Sequence, residues 1–490
     1  MATAGCASPN DRAFSYDRGP IVQEMQRRAM TTVKLDSLFS AHLAQVRAHA
    51  DSALELGRYD GLVIHAGRPG LHFLDDSGPP FKANPHFLYW APLQEAPDCF
   101  VRYLPGQKPR LLFHQPADYW HKPPELPSGD WTREFEIEVI REPAAARALL
   151  ETATRRLAFI GEPPDDVCEW GFAAFNPDSV LAYLHYHRAA KTPYELACMR
   201  EASRLGARGH VAAAKSYYAG ASEFEVNQAY CDATGLREQE LPYGNIVAFG
   251  EGAAILHYTT LQRTRDVPRP TFLIDAGAQC RGYASDITRT HVARTGVEPL
   301  FAELLASMNK LQQQLCSMVR SGVDYRDIHL EAHRLIADAL VRIGVIKGCD
   351  ATTAVANGLS AVFFPHGVGH LIGLQVHDVA GFAANATGRE QIPRPDGHPY
   401  LRLTRRLEPG FVVTIEPGAY FIGLLLDAAR NHKQLARLID WTLVERLKPF
   451  GGIRVEDDVV CRAEGAPENL TRDAFAALGD VRRSAAGDAA

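Results

Sequence analysis

Asp275 closes the apolar run Phe272-Leu273-Ile274, and Asp286 follows Tyr283-Ala284-Ser285, with a Cys-Arg-Gly turn candidate between the two runs. Both runs read as strands. A turn centred on Cys280-Arg281 would set the two carboxylates directly opposite each other, with Cβ atoms about 4.5–5.5 Å apart. Ionised carboxylates that close repel unless one takes a proton or a cation lies between them. The pair is therefore either two acids flanking a solvated hairpin or part of a charge-compensating centre. By period two, Thr288 shares the face of Asp286 and could support it with a hydrogen bond.

Three further runs bear on that choice. Histidines 366, 370 and 377 fall within twelve residues of FFPHGVGHLIGLQVHD. Gly367 and Gly369 argue against a helix there, so this is not a helical HExxH site. A glycine-rich loop can instead bring several imidazoles to one point, and neutral imidazole is a transition-metal ligand. Val412-Val413-Thr414-Ile415 reads as a buried strand that delivers Glu416 at its end. In Gly452-Ile453-Arg454-Val455-Glu456, alternation puts Arg454 and Glu456 on one face. Alone, that last pair reads as a salt-bridged strand end. Taken together, four carboxylates and an imidazole at strand ends and in a glycine loop fit a two-metal hydrolytic site. Such donors suit manganese, iron, cobalt or zinc, and the lack of thiolates argues against a structural zinc site.

The chain has 490 residues, which predicts two domains. A net charge of -6 gives no strongly basic face and argues against nucleic acid as a partner. Nine scattered cysteines with no CxxC pair predict reduced thiols and a cytoplasmic location. Neither a membrane-length apolar run nor a signal-peptide core is present in the sequence.

Residues 1–30 read as an unstructured extension. Helical spacing over 31–57 and strand candidates at 61–65, 98–103, 109–114 and 157–161 predict an N-terminal α/β domain over 31–188. Thr192-Pro193-Tyr194-Glu195 carries an N-cap, a proline at the first helical position and a capping-box glutamate. It opens a second domain over 189–475, with helices at 193–217, 222–235, 299–319 and 325–344. Strands and loops are expected to dominate from 360 onward, with an exposed loop over 387–410 and a tail over 476–490.

The runs LIDAGAQCRGYASDITRT, FFPHGVGHLIGLQVHD, TIEPGAYF and GGIRVEDD resemble the pita-bread metallopeptidases, most closely the bacterial prolidases and the related organophosphorus acid anhydrolases. The likeness extends through PPFKANPHFLYWAPL, PADYWHK, YHRAAKTPYELACMREA and PYGNIVAFGEGAAILHYT, and so covers about residues 31–475. It implies a prolidase-type α/β N-terminal domain followed by a pita-bread α+β catalytic domain. It implies that Asp275 holds one metal, that Asp286 and Glu456 bridge, and that His370 and Glu416 hold the other, with two Mn2+ or else Co2+, Zn2+ or Fe2+. By the same likeness, Glu416 is the general base and His257, His366, His377 and Arg454 bind substrate or move protons. Tyr243 lines the pocket. Asp76 reaches into the partner subunit of a homodimer to hold the substrate's amino group. The implied reaction is hydrolysis of dipeptides ending in proline.

Three other readings stay open: a phosphotriester hydrolase, an aminopeptidase P-like enzyme, and a non-catalytic binding protein on the same fold. The complete donor set argues against the last. Asp76 and the long stretch between Glu416 and Glu456 argue against the aminopeptidase.

Overall fold

The computed structural model describes residues 19–487, with side chains from 35 to 479. The first helix spans Gly19–Gly57 and so begins ahead of the expected position 31. Pro20 suits a first helical turn, and no glycine or proline interrupts the run before Gly57. The rest of the expected extension, 1–18, lies outside the described residues. The expected tail is also helical in part, because Leu470–Gly487 forms one helix anchored by buried Leu470 and Ala474.

Six strands form the N-terminal sheet: β1 (Gly61–His65), β2 (Phe100–Tyr103), β3 (Arg110–His114), β4 (Glu136–Ile140), β5 (Leu157–Ile160) and β6 (Ala174–Phe175). Their order is β4-β3-β2-β1-β5-β6, with β1 antiparallel to β2 and parallel to β5. β1, β2 and β5 are buried along their whole length. They appear in the sequence as mainly apolar runs, as central strands do, with buried Arg102 in β2 and His65 at the end of β1 as the polar members. β4 and β6 have no such signal because they are the edges. Half-solvated Glu136-Ile137-Glu138-Val139 needs no apolar face.

The capping box at the junction forms as its spacing predicts. Thr192 N–H donates to Glu195 Oε2 at 2.8 Å, and Glu195 N–H donates to Thr192 Oγ1 at 3.3 Å, opening helix Pro193–Tyr218. His42 of the first helix lies 2.9 Å from Thr192 Oγ1. One buried cluster runs from Leu35, Phe39 and Leu43 through Tyr194 and Met199 to Tyr283, Val412 and Val460. The N-terminal sheet and the second half of the chain thus share a core.

The second half holds four small sheets. β7 (Ile246–Phe249), β8 (Thr271–Asp275) and β11 (Thr288–Val292) form one, with β8 central. β9 (Gln279–Cys280) and β10 (Tyr283–Ala284) form the hairpin tip. β12 (Val412–Ile415) pairs with β15 (Asp457–Val460), which also pairs with β16 (Glu468–Asn469). β13 (Gly418–Tyr420) pairs with β14 (Gly452–Arg454). Helices Pro299–Ser317 and Tyr325–Arg342 pack behind these strands, where Met308 and Ile336 meet Val413, Ile415 and Ile453 in the largest core. Truncating Ile415 to Ala there is expected to cost ~2–5 kcal/mol.

Three expectations need correction. The hairpin turns on Arg281-Gly282, with φ of 52° and 88°, because Cys280 pairs with Tyr283. A two-residue turn with positive φ at both centres favours glycine at the second one, which fixes the register. Asp275 therefore faces Thr288, and Asp286 is not its direct partner. Secondly, helices Gly423–Asn431 and Trp441–Leu447 fill much of the stretch between Glu416 and Glu456. Thirdly, 387–410 is a loop, but Leu401, Leu403, Thr404 and Arg405 are buried. Arg405 sits over the rings of Tyr186 and Phe411, 3.9 Å and 4.7 Å from their centroids.

Candidate metal centre

Four chain segments converge on one buried point. β8 ends at Asp275, and the irregular stretch before β11 carries Asp286. The glycine loop after Phe364 carries His366, His370 and His377. β12 ends before Glu416, and Glu456 stands between β14 and β15. The glycines allow this approach: a side chain at Gly369, whose φ is +152°, would meet the Thr414 carbonyl at 2.0 Å.

His370 organises the site. Its Nδ1 lies 3.0 Å from the Leu371 carbonyl. A carbonyl only accepts, so Nδ1 carries the proton and Nε2 presents a lone pair. That Nε2 is 3.6 Å from Asp286 Oδ2 and 3.7 Å from Glu416 Oε1. These gaps are too long for good hydrogen bonds. They suit ligands of one ion, whose donors at about 2.0–2.2 Å from the metal lie roughly 3–4 Å apart. Donor atoms of Asp286, His370 and Glu456 all fall within 4.8 Å of one another.

The other carboxylates are tied down from behind. Thr288 Oγ1 donates to Glu456 Oε2 at 2.6 Å. Asp286 N–H donates to Asp458 Oδ2 at 3.0 Å. Arg454 Nη2 donates to Asp275 Oδ2 at 2.7 Å. Tyr243 Oη is 2.8 Å from Asp275 Oδ1 and 2.5 Å from Asp286 Oδ1. A phenol has one proton and cannot donate to both. The concentrated negative charge calls for compensation, and the protonation equilibria show it. Burial, with Asp286 and Asp275 nearby, pushes Glu416 up to about 7 despite His370 and Arg454. Burial and the surrounding carboxylates push Glu456 well above the usual range. For His370, burial lowers the pKa, but Asp286 and Glu416 outweigh it and the net shift is upward.

A second layer links the histidines. His366 Nδ1 lies 2.8 Å from the Gly367 carbonyl, so its Nε2, 2.9 Å from Tyr420 Oη, accepts the phenol proton. Tyr420 in turn accepts from Arg454 Nη1 at 3.0 Å. Burial, followed by Arg454, lowers His366 to about 3. The His377 ring stands edge-on to His370 with centroids 4.4 Å apart. Burial, then His370 and Arg402, lowers it to about 4.

His257, Tyr243, His366, His377, Arg454 and the four carboxylates line one cleft of about 2610 Å3, which also takes in Phe81, Lys82 and Asn84 of the N-terminal region. Asp76 is the expected site residue that does not join them within the chain. It lies on an exposed loop beside Phe73 and Leu74, each 91% exposed.

Residues 37–186 match the family model for the Xaa-Pro dipeptidase N-terminal domain, and residues 197–463 match that for metallopeptidase family M24. A Xaa-Pro dipeptidase of Stenotrophomonas maltophilia (strain R551-3) is 50% identical over 90% of this chain and 98% of its own. One of Xanthomonas campestris pv. campestris (strain B100) is 50% identical over 91% of this chain and 100% of its own. This chain belongs to metallopeptidase family M24, on its Xaa-Pro dipeptidase branch. The two-domain pita-bread fold of the family is shared with more distant solved structures. Aminopeptidase P from E. coli with the inhibitor Pro-Leu superposes with a TM-score of 0.68 at 22% identity, over 91% of this chain and 99% of that one. Proline aminopeptidase P II from Yersinia pestis gives 0.67 at 22%, over 90% and 96%.

Three site residues escaped the motif reading of this M24 chain. Tyr420 lies inside TIEPGAYF, and Asp458 ends GGIRVEDD. A tyrosine after a strand end and a doubled aspartate both have structural readings of their own, so neither motif marks them for chemistry. Arg402 brings a guanidinium to the cleft wall near His377. It sits in the loop expected to be merely exposed, and no local pattern singles it out.

Proposed function

We propose that this chain hydrolyses Xaa-Pro dipeptides at a pair of divalent cations, manganese first among them, held by Asp275, Asp286, His370, Glu416 and Glu456. The observation that carries this is the set of 3.6–3.7 Å separations around His370 Nε2, with its proton placed on the far nitrogen. When bound, the cations supply a water of low pKa and positive charge for the carbonyl under attack.

The chain's own groups do the rest. Glu416 faces the same space and takes the proton of the attacking water. His377 borders the position where the oxyanion develops and offers a ring N–H there. His366 accepts from Tyr420 and is thereby oriented toward the cleft. Three of the five N–H groups of Arg454 are engaged by Asp275, Tyr420 and Thr288. That supports Arg454 as the residue that positions Asp275 and Tyr420. Arg402, which lines the cleft near His377, is then the residue we assign to the proline carboxylate, together with His257 of the same lining.

The cleft is larger than the roughly 300–1,000 Å3 that suits a small ligand. An added wall from a second subunit would reduce it, and the exposed Phe73-Leu74 loop is an apolar surface for such a contact. We therefore place Asp76 in the partner's cleft of a homodimer, where it holds the free amine of the dipeptide. The domain boundary is placed between 188 and 189. The described cysteines are free thiols, which fits the cytoplasm. Among the described residues no helix is long and apolar enough to cross a membrane.

The test is a panel of Xaa-Pro dipeptides, Xaa-Pro-Xaa tripeptides and a phosphotriester, assayed on protein of measured metal content. Fast dipeptide cleavage at two divalent cations per chain supports the proposal. Preferential release of the first residue of tripeptides, or turnover confined to the phosphotriester, overturns it.

A further inference from the structure

His329 and His333 stand one turn apart on the buried face of helix Tyr325–Arg342, where side chains four residues apart stack. The loop over 394–402 brings His398 to the same place. The three rings meet edge to face, with centroids 4.7 Å apart for His329–His333, 4.7 Å for His329–His398 and 4.5 Å for His333–His398. One ring nitrogen of each lies within 4.8 Å of one from each of the others. His329 Nε2 and His398 Nδ1 are 2.9 Å apart. Ser360 Oγ holds His333 Nδ1 at 2.9 Å.

This cluster is not packing alone. His329 and His333 are 1% and 2% exposed, beside the ring of Phe364. Leucine would fill that space without burying ring nitrogens, and His329 Nδ1 is buried with no partner. Burial and the neighbouring rings lower His329 to about 2 and His333 to about 3, so both carry lone pairs in place of charge at neutral pH. A small cavity of about 20 Å3 touches all three rings and adjoins the large cleft at Pro365, His366, Pro399 and Tyr400. That is room for one water or one ion.

We propose that His329, His333 and His398 form a third metal site, for a single zinc-class cation with its fourth position open to this cavity. Its donors differ in kind from those of the carboxylate centre. Three imidazoles favour zinc, nickel or copper, whereas a carboxylate-rich site accepts manganese. The two sites would thus sort metals when both kinds are present. Occupancy would also fasten the 394–402 loop to the helix. Pro399, Tyr400 and Arg402 of that loop line the large cleft, so a metal here would hold one of the cleft's walls in place.

The experiment begins with the full-length protein loaded with Mn2+, equilibrated with Zn2+ and dialysed, with both metals measured by elemental analysis. Wild type, His398→Ala and His333→Gln are compared. Displacement of manganese by zinc in the carboxylate centre contributes equally to all three. The expected result is one zinc per chain more in wild type than in either variant. Equal zinc in all three folded proteins overturns the proposal. Should a variant fail to fold, Cu2+ added to manganese-loaded wild type is read by pulsed EPR. Three coordinated imidazoles support the site, and a signal with one imidazole or none overturns it.

Discussion

Arg188 donates to Asp378 at 2.7 Å, and each side chain is 1% exposed. Lys191 reaches the other carboxylate oxygen at 2.9 Å. Asp378 directly follows His377, so this buried triad ties the segment before the junction to the histidine loop. Removing one partner of such a group leaves uncompensated charge and costs ~3–5 kcal/mol. Asp378→Ala is expected to lower Tm by several degrees and to reduce kcat/KM through a misplaced His377. Calorimetry and dipeptide kinetics check this, and unchanged values in both would remove the tie.

The same carboxylate gives a pH prediction. Burial alone would raise Asp378, but Arg188 and Lys191 outweigh it and hold it far below the usual carboxylate range. A depressed folded-state pKa contributes stability that is complete above the unfolded value of about 3.9 and lost as pH falls toward the folded one. Wild type should therefore lose stability below about pH 4 more steeply than Asp378→Asn. Denaturant titrations between pH 3 and pH 6, in both proteins, read the difference.

The metal-free protein should respond in the opposite direction. Glu416 is pushed up to about 7 and Glu456 well above its usual range, mainly by burial. Raised folded-state values contribute stability that is present below the unfolded value of about 4.3 and lost as pH rises through the folded one. For Glu416 the loss is on the order of 3 kcal/mol across that interval. Chelated protein should thus become less stable between pH 5 and pH 8, while protein reloaded with Mn2+ should not. Parallel melting curves for the two forms over that range would count against cations compensating these carboxylates.

Tyr420 connects Arg454 to His366. Hydrogen bonds to charged groups are worth about 1.5–3 kcal/mol, so Tyr420→Phe should lower kcat/KM roughly 10- to 100-fold. Metal content should stay at the wild-type level, because Tyr420 touches none of the five proposed ligands through a hydrogen bond. Loss of metal in the variant would show that the tyrosine has a different role.

Asp76→Ala should impair dipeptide cleavage strongly and leave metal binding intact. Mixing it with a variant inactive at Glu416 should restore activity in heterodimers, if each cleft borrows Asp76 from the other chain. Absence of any recovery in a verified heterodimer rules out the contribution in trans.

Much of this was legible in the sequence because Asp275 and Glu416 sit where apolar runs stop, and His370 lies in a dense histidine-glycine loop. A carboxylate at the end of Phe272-Leu273-Ile274 or Val412–Ile415 interrupts an apolar pattern, so it stands out. The register of the 275–288 hairpin is not legible from the apolar runs alone: a turn on Cys280-Arg281 sets Asp275 opposite Asp286, but Gly282 accepts positive φ at the second turn position and moves the turn on by one residue, so that Asp275 faces Thr288. Tyr420, Asp458 and Arg402 gave no comparable signal. They act through partners more than thirty residues away, or from a loop whose proline and glycine content looked like plain solvent exposure. The His329, His333 and His398 cluster was hidden for the same reason: two members share a helix face, and the third arrives from a segment with no regular structure.

The cluster that joins Leu35 and Phe39 to Tyr283, Val412 and Val460 makes the N-terminal sheet something other than a detachable module. Severing the chain near residue 188 would strip both pieces of apolar cover at once. Expressed alone, the second half should behave as an aggregation-prone fragment and not as a minimal enzyme. Evolutionary exchange of the first half would then require simultaneous change across the seam.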